Sequence, residues 1–74
     1  MNTIKLTKNH FKKSNNYWSD YTGKEDISDF DGNIEIEGKL GWVRFSLLKA
    51  KGYIRAEAGS GIEAGWGIEA GSGI

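Results

Sequence analysis

The C-terminal stretch of the chain reads Ala56-Glu-Ala-Gly-Ser-Gly, Ile62-Glu-Ala-Gly-Trp-Gly, Ile68-Glu-Ala-Gly-Ser-Gly and Ile74, which is a strict six-residue repeat. The repeat lies inside a longer alternation. From residue 48 to residue 74, the even-numbered positions are apolar or small, and nearly all odd-numbered positions are glycine or charged. Because successive side chains of a strand point to opposite faces, this alternation indicates extended chain with one buried face.

The repeat length favours a particular all-β architecture. Six is even, so every hexad presents isoleucine or alanine on one face and glutamate and glycine on the other. Repeats this short are typical of β-solenoids, in which one hexad makes one side of a coil and glycines turn the corners. The sequence therefore predicts an all-β fold, a short β-solenoid or β-helix with hexapeptide repeats, preceded by an N-terminal loop or lid.

We expect one domain with two parts, a charged and aromatic lead and cap over residues 1–32 and the solenoid over residues 33–74, with hexads from residue 56. Alternating apolar residues predict strands near residues 4–6 and 33–37, whereas the polar and aromatic residues 9–21 predict a loop or lid. Between residues 40 and 48 the alternation slips by one residue. A slip requires a bulge or corner, or burial on both faces, and we favour burial on both faces.

The size of the chain predicts self-association. At 74 residues, with no cysteine and one histidine, it lacks a disulfide or zinc staple and is near the size at which a core barely offsets chain entropy. An uncapped strand edge invites pairing with another chain. We expect a homo-oligomer through the repeat edge, or a truncated member of a longer array. The expected core or oligomer contacts are Ile62, Trp66, Ile68 and Ile74.

The sequence motifs that could indicate a nucleotide site, a metal site or a catalytic site are weak. The pattern G-x-G-x-x-A occurs at Gly59 and Gly65, but it recurs at the repeat period and leaves no room for the βαβ unit that nucleotide binding needs. A likeness to a calcium loop fails because Ile27 occupies the first ligand position and Gly38 the last. The single histidine, His10, lies among lysines and no cysteine can act as nucleophile. The sequence predicts no enzyme activity, no cofactor and no metal.

The charge pattern suggests binding instead. The net charge of zero conceals blocks of +4 over residues 1–18, −6 over 19–37, +5 over 38–55 and −3 over 56–74. Segregated charge can steer a partner. The basic, aromatic N-terminal segment suits single-stranded nucleic acid, but we favour a cap that packs its rings and leaves its lysines in water. The candidate partner-binding residues are Lys12, Lys13, Tyr17 and Trp18 on the lid, with Lys49, Lys51 and Arg55 on the outer face of the coil.

The Gly-x-Gly-Ile-Glu-Ala repeat behind a charged and aromatic lead resembles small repetitive proteins carried by phages and other mobile elements, over residues 33–74. Some small proteins of such elements are anti-CRISPR inhibitors, which bind a host nuclease complex and block it without chemistry. The resemblance implies a mobile-element origin. It assigns no functional residue, because the motif contains scaffold positions alone.

Together these features predict a non-enzymatic binding protein, an inhibitor that docks on a host protein or ribonucleoprotein nuclease complex. One alternative is a fibre-like or spike-like homo-oligomeric β-helix. Another is a single-stranded nucleic-acid binder that uses the N-terminal segment. The sequence has no run of about 20 apolar residues and no signal-peptide pattern, so we expect no membrane span and a cytoplasmic location, the host cytoplasm if the gene is carried by a phage.

Overall fold

A computed structural model describes residues 2–14, 18–71 and 73, without the side chain of Trp66. Extended chain dominates, as the alternation predicted. The elements are β1 (Asn2–Leu6), a 3-10 helix (Lys8–His10), β2 (Phe11–Lys13), β3 (Trp18–Tyr21), β4 (Gly32–Ile36), β5 (Gly41–Ala50), β6 (Ile54–Ala56) and β7 (Ser60–Ala70). Within this part of the chain, no helix has the length and hydropathy needed to cross a bilayer.

The strands form two sheets. The first has the order β1-β4-β6, with parallel neighbours. The second has the order β2-β3-β5-β7, in which β2 is antiparallel to β3 and the other neighbours are parallel. From β4 onward, consecutive strands alternate between the two sheets, so parallel neighbours come from residues far apart in sequence, such as Ile34 beside Ile54.

One hydrophobic core lies between the inner faces of the two sheets. On β4, Ile34 and Ile36 are fully buried, whereas Glu35 between them lies on the outer face. Burying one such side chain stabilises the fold by about 1.5–3 kcal/mol. The buried core residues are Leu6, Ile27, Ile34, Ile36, Val43, Phe45, Leu48, Ala50 and Ile54. Because all of these residues lie between the two sheets, the opposite face of each sheet is exposed to solvent.

The predicted β-solenoid with hexapeptide repeats is wrong. The single strand β7 contains the whole hexad 62–67 and parts of the hexads on either side, and Gly65 and Gly67 are interior positions of this strand and not corners. The strand pairs with β5, Ile62 beside Val43 and Ile68 beside Leu48, so hexads do not stack on hexads. An even repeat keeps its apolar residues on one face of a straight strand, and it therefore requires no corner. No solenoid or closed sheet is found in the part of the chain that the structure describes.

The predicted lid is also wrong. Residues 9–21 contribute to the 3-10 helix and supply β2 and β3, and β3 pairs with β5 inside the second sheet. Their aromatic side chains belong to the fold: Phe11, Tyr21 and Phe45 form a cluster with ring centroids 5.6–5.8 Å apart. Such aromatic pairs add stability beyond the area that they bury. The N-terminal segment is thus part of the sheets and not a cap over them.

The slip of alternation over residues 40–48 is a bulge. Between Phe45 and Leu47 of β5, the paired strand β7 advances three residues, from Ala64 to Gly67, and the inward positions of β5 change from Val43 and Phe45 to Leu48 and Ala50. The favoured prediction, burial on both faces, is wrong, because Trp42 on the outer face is 54% exposed. A bulge lets one strand keep its apolar residues on the core despite the change of parity.

Candidate functional site

Two tryptophans lie side by side on the outer face of the second sheet. Trp18 on β3 pairs in register with Trp42 on β5, and the next residue of β5, Val43, is fully buried on the opposite face. Among the side chains that the structure describes, Trp42 is the one large hydrophobic group classed as exposed. An open depression of about 470 Å³ lies here, lined by Trp18, Trp42, Ile62 and Glu63.

The ring of Trp42 lies over the neighbouring strand. In register, Trp42 pairs with Gly61 of β7, and a Cβ atom added to Gly61 would lie 2.7 Å from Cε3 of Trp42. That separation is far below van der Waals contact, so the ring occupies the space that a side chain at Gly61 would need. This glycine of the repeat therefore has a packing role.

Arg44 contacts both outward side chains of β3. Its guanidinium carbon lies 4.7 Å from the centroid of the Trp18 ring, and its Nε lies 3.6 Å from Oδ1 of Asp20. The ion pair is 43% exposed at Arg44 and 48% at Asp20, so it contributes at most about 1 kcal/mol. A cation–π contact at such a site contributes about 0.5–1 kcal/mol. The main effect of these contacts is to fix the positions of the side chains.

A row of alternating charge crosses the same face. Register pairing places Lys12 beside Asp20, Asp20 beside Arg44, and Arg44 beside Glu63, which joins all four strands of the second sheet. Opposite charges side by side stabilise a sheet. We call these four residues the charged row. The charged row and the adjacent Trp18, Trp42 and Gly61 together form the surface that we call the Trp face.

The Trp face includes two of the predicted site residues, Lys12 and Trp18. Lys13 follows Lys12 on β2 and alternates to the other side of the sheet. Tyr17 lies outside the described residues. The predicted lid surface is therefore represented by one lysine and one tryptophan, and both belong to a sheet.

The predicted basic surface of Lys49, Lys51 and Arg55 is not a single surface. Lys49 lies on β5 with its Nζ 4.0 Å from Oε2 of Glu69, and Lys51 lies in the bend that follows β5. Arg55 belongs to β6 in the other sheet, where it pairs in register with Glu35. Lys49 and Arg55 lie in different sheets because consecutive strands alternate between the sheets, and Lys51 lies in the connection between those strands.

The predicted oligomer contacts whose side chains the structure describes pack inside the chain. Ile62 and Ile68 pack against the core of their own chain. Ile74 lies outside the described residues, as does the side chain of Trp66. Strand β7 pairs with β5 along one edge, and no strand in the described ranges pairs with its other edge. Assembly through this edge stays a prediction.

Sequence reasoning missed most of the Trp face: Asp20, Trp42, Arg44, Gly61 and Glu63. The sequence predicts Trp42 inside a strand buried on both faces, and it places the glutamate of each hexad on the outer face without assigning it a contact. The alternation of Trp42 with Val43 and of Arg44 with Phe45 was the available signal for an outer face. The pairing of β3 with β5 joins residues distant in sequence, and no local pattern indicates it.

The outer face of the first sheet is polar and internally bonded. Nζ of Lys5 lies 3.1 Å from Oε1 of Glu57, which raises the pKa of Lys5 and lowers the pKa of Glu57. The hydroxyl of Tyr53 donates to Glu35, and this hydrogen bond is the main cause that raises the pKa of Tyr53. No large apolar side chain is exposed in the described part of this face, so it offers less for docking than the Trp face.

A second depression of about 460 Å³ separates residues 25–28 from β5. Hydrogen bonds join this segment to β3 and also form within it. The hydroxyl of Tyr21 donates to the carbonyl of Glu25, and Ser28 donates from its backbone N–H and its hydroxyl to Oδ1 of Asp26. The bonds from Ser28 lower the pKa of Asp26. These contacts hold the segment against the sheet, and across the described residues no three metal-ligating side chains lie together.

Comparison with protein-family models, with curated proteins and with solved structures finds no match for this chain. Function is therefore inferred from the Trp face.

Proposed function

We propose that the chain is a non-catalytic binding protein that docks on the surface of a larger protein through the Trp face. The observation that carries this proposal is the exposure of Trp42, which is 54% accessible on a strand, beside Trp18 and Arg44. Tryptophan and arginine are enriched among the residues that dominate binding energy at protein interfaces. Here they lie at the centre of a regular sheet, so little conformational entropy is lost when a partner covers them.

The charge of the face supports a protein partner over single-stranded nucleic acid. In the charged row, Lys12 and Arg44 are balanced by Asp20 and Glu63, and Arg44 already contacts Asp20. Binding to nucleic acid depends on unneutralised cations that follow the phosphates. A neutral surface of alternating sign instead suits a partner of complementary pattern, because such complementarity fixes register and rejects wrong partners.

The proposed action is steric. The chain would cover a functional surface of its partner in the cytoplasm, as an inhibitor carried by a phage or another mobile element does when it blocks a host nuclease complex. No side chain of this chain has to perform chemistry in such a mechanism. The fibre alternative has less support, since Ile62 and Ile68 pack on their own core.

The test is capture of the partner from host lysate by immobilised protein, followed by identification of the bound species. We compare the native chain with Trp42→Ala and with the control Arg55→Ala, which changes an exposed residue of the other sheet. The native chain and the control should retain the same protein, and Trp42→Ala should weaken its binding about thirtyfold, the effect of losing a central interface tryptophan.

Inhibition is then measured with the purified partner, whose activity should fall in proportion to the native chain added. Equal capture by all three proteins would rule out the Trp face as the docking surface. Retention that disappears after nuclease treatment and weakens steeply with salt would favour the nucleic-acid alternative.

A further inference from the structure

The charged row has a symmetry that identifies one occupant of the Trp face. Read from β2 to β7, its signs are plus at Lys12, minus at Asp20, plus at Arg44 and minus at Glu63. A row of four alternating charges, turned end over end, presents the opposite sign at every position. The face is therefore complementary to a second copy of itself.

We propose that the Trp face of one chain pairs with the Trp face of a second copy, about a two-fold axis that runs parallel to the strands between β3 and β5. This axis reverses the order of strands and keeps their direction. Lys12 then faces Glu63 of the other copy, and Asp20 faces Arg44. Each contact occurs twice, as in every two-fold interface.

The apolar residues satisfy the same symmetry. Trp18 and Trp42 lie next to each other on β3 and β5, on either side of the axis, so Trp18 of one copy faces Trp42 of the other. At the two ends of this row the residues are small. Gly61 lies on β7, and Ser14 follows β2, where its N–H donates to the carbonyl of Trp18. Large side chains thus meet at the centre and small ones at the rim, and the charged row lies alongside.

The size of the face suits a weak, transient interface. Its strands have 3, 4, 10 and 11 residues, which at about 3.3 Å per residue and about 4.8 Å between strands give roughly 450 Å² per copy. Two copies then bury roughly 900 Å², an area typical of transient protein interfaces. Face-to-face packing of twisted sheets also has a natural geometry, with strands of the two sheets within about 30° of each other. We expect a dimer that dissociates on dilution.

The dimer uses the same face as the proposed function, so self-association and partner binding compete for one surface. In the free protein the docking surface is covered by a second copy, and a partner protein must displace that copy to bind. Self-association and partner binding are separable by experiment, because the first is measured on the purified chain alone.

The decisive variant inverts the whole charged row: Lys12→Glu, Asp20→Lys, Arg44→Glu and Glu63→Lys. Neighbours within one chain remain opposite in sign, so the sheet keeps its favourable cross-strand pairs. The inverted row is still complementary to itself. Against the native row, however, it places like charges at all four positions, and their repulsion opposes two-fold pairing. Native and inverted chains should each form dimers and should not form mixed dimers.

The measurement is native mass spectrometry on an equal mixture of the inverted variant and isotope-labelled native chain, with sedimentation equilibrium on each protein alone. Circular dichroism confirms that each variant is folded. Trp42→Ala provides an independent test that leaves the charged row intact, and it should raise the dissociation constant of the dimer about thirtyfold.

Three results would overturn the inference. The first is a native chain that stays monomeric at every concentration measured. The second is the formation of mixed dimers in the proportion expected for random pairing. The third is a Trp42→Ala chain that dimerises as tightly as the native chain. The last two results would indicate assembly through another surface, such as the free edge of β7. Failure of dimerisation together with Trp42-dependent capture of a protein partner would leave the proposed function standing.

Discussion

The guanidinium carbon of Arg44 lies 4.7 Å from the centroid of the Trp18 ring, across the pairing of β5 with β3. The two residues are diagonal neighbours, since Trp18 pairs directly with Trp42 and Asp20 with Arg44. One side chain of β5 therefore orders two side chains of β3. The contact restricts the ring of Trp18, because a ring in contact with a cation has fewer accessible rotamers than a free one.

Arg44→Ala removes the cation–π contact and the ion pair with Asp20 together. We expect the free energy of unfolding to fall by about 1 kcal/mol, because both contacts are half exposed. Tryptophan emission should shift as Trp18 gains solvent. Urea unfolding followed by fluorescence measures both effects. Arg44→Lys keeps the charge and should lose less. An Arg44→Ala protein with native stability and native emission would contradict this account.

Gly61→Ala tests the position of the Trp42 ring. The new methyl group would lie 2.7 Å from Cε3 of Trp42, so the exposed ring must move aside. We expect altered tryptophan emission and weaker dimerisation, with a small loss of stability. The matched control is Gly65→Ala on the same strand, where an added Cβ meets no atom within 4 Å. Identical behaviour of the two variants would show that Trp42 does not depend on Gly61.

The contact between Lys5 and Glu57 makes part of the stability depend on pH. Hydrogen bonding to Lys5 lowers the pKa of Glu57 below its ordinary value of 4.5. The stabilisation is therefore complete above pH 4.5 and is lost as the pH falls through the lowered pKa. Urea unfolding of the native chain and of Glu57→Gln should differ near neutral pH and converge in acid. A difference that stays constant from neutral to acid pH would exclude this linkage.

Leu48→Ala tests the common core of the two sheets. Leu48 is fully buried just beyond the bulge in β5, and removing it should cost about 2–5 kcal/mol, a large share of the stability of a small domain. Thermal unfolding by circular dichroism measures the loss. Ser46→Ala, at an exposed position of the same strand, should stay within about 0.5 kcal/mol of the native chain. A Leu48→Ala chain of native stability would place the core elsewhere.

The strands were predictable because alternation is a local property. Ile34 and Ile36 indicate β4, and the alternation over residues 62–70 indicates extended chain. The side chains of Ile62, Ala64, Ile68 and Ala70 contact the core. The arrangement of the strands was not predictable in the same way. An even repeat is compatible both with corners at its glycines and with one straight strand, and the partner strand, β5, decides between them.

The Trp face was less predictable than the strands. Residue type alone indicates Trp18 and Lys12 as binding candidates, whereas Trp42 and Arg44 become neighbours of Trp18 only through the parallel pairing of β3 with β5. That register joins segments separated by the whole of β4, and it depends on the packing of both sheets. The sequence therefore indicates which residue types can bind a partner, and the pairing of strands in the second sheet brings these residues together.

The passage of the repeat through the single strand β7 has an evolutionary consequence. Replication slippage readily adds or removes a whole repeat unit in a tract such as this one. A change of six residues preserves which side chains face inward, but within β7 it would shift every later residue along β5 and separate Ile68 from Leu48. Selection should therefore hold the number of repeat units constant through β7, which pairs with β5 from Ser60 to Ala70.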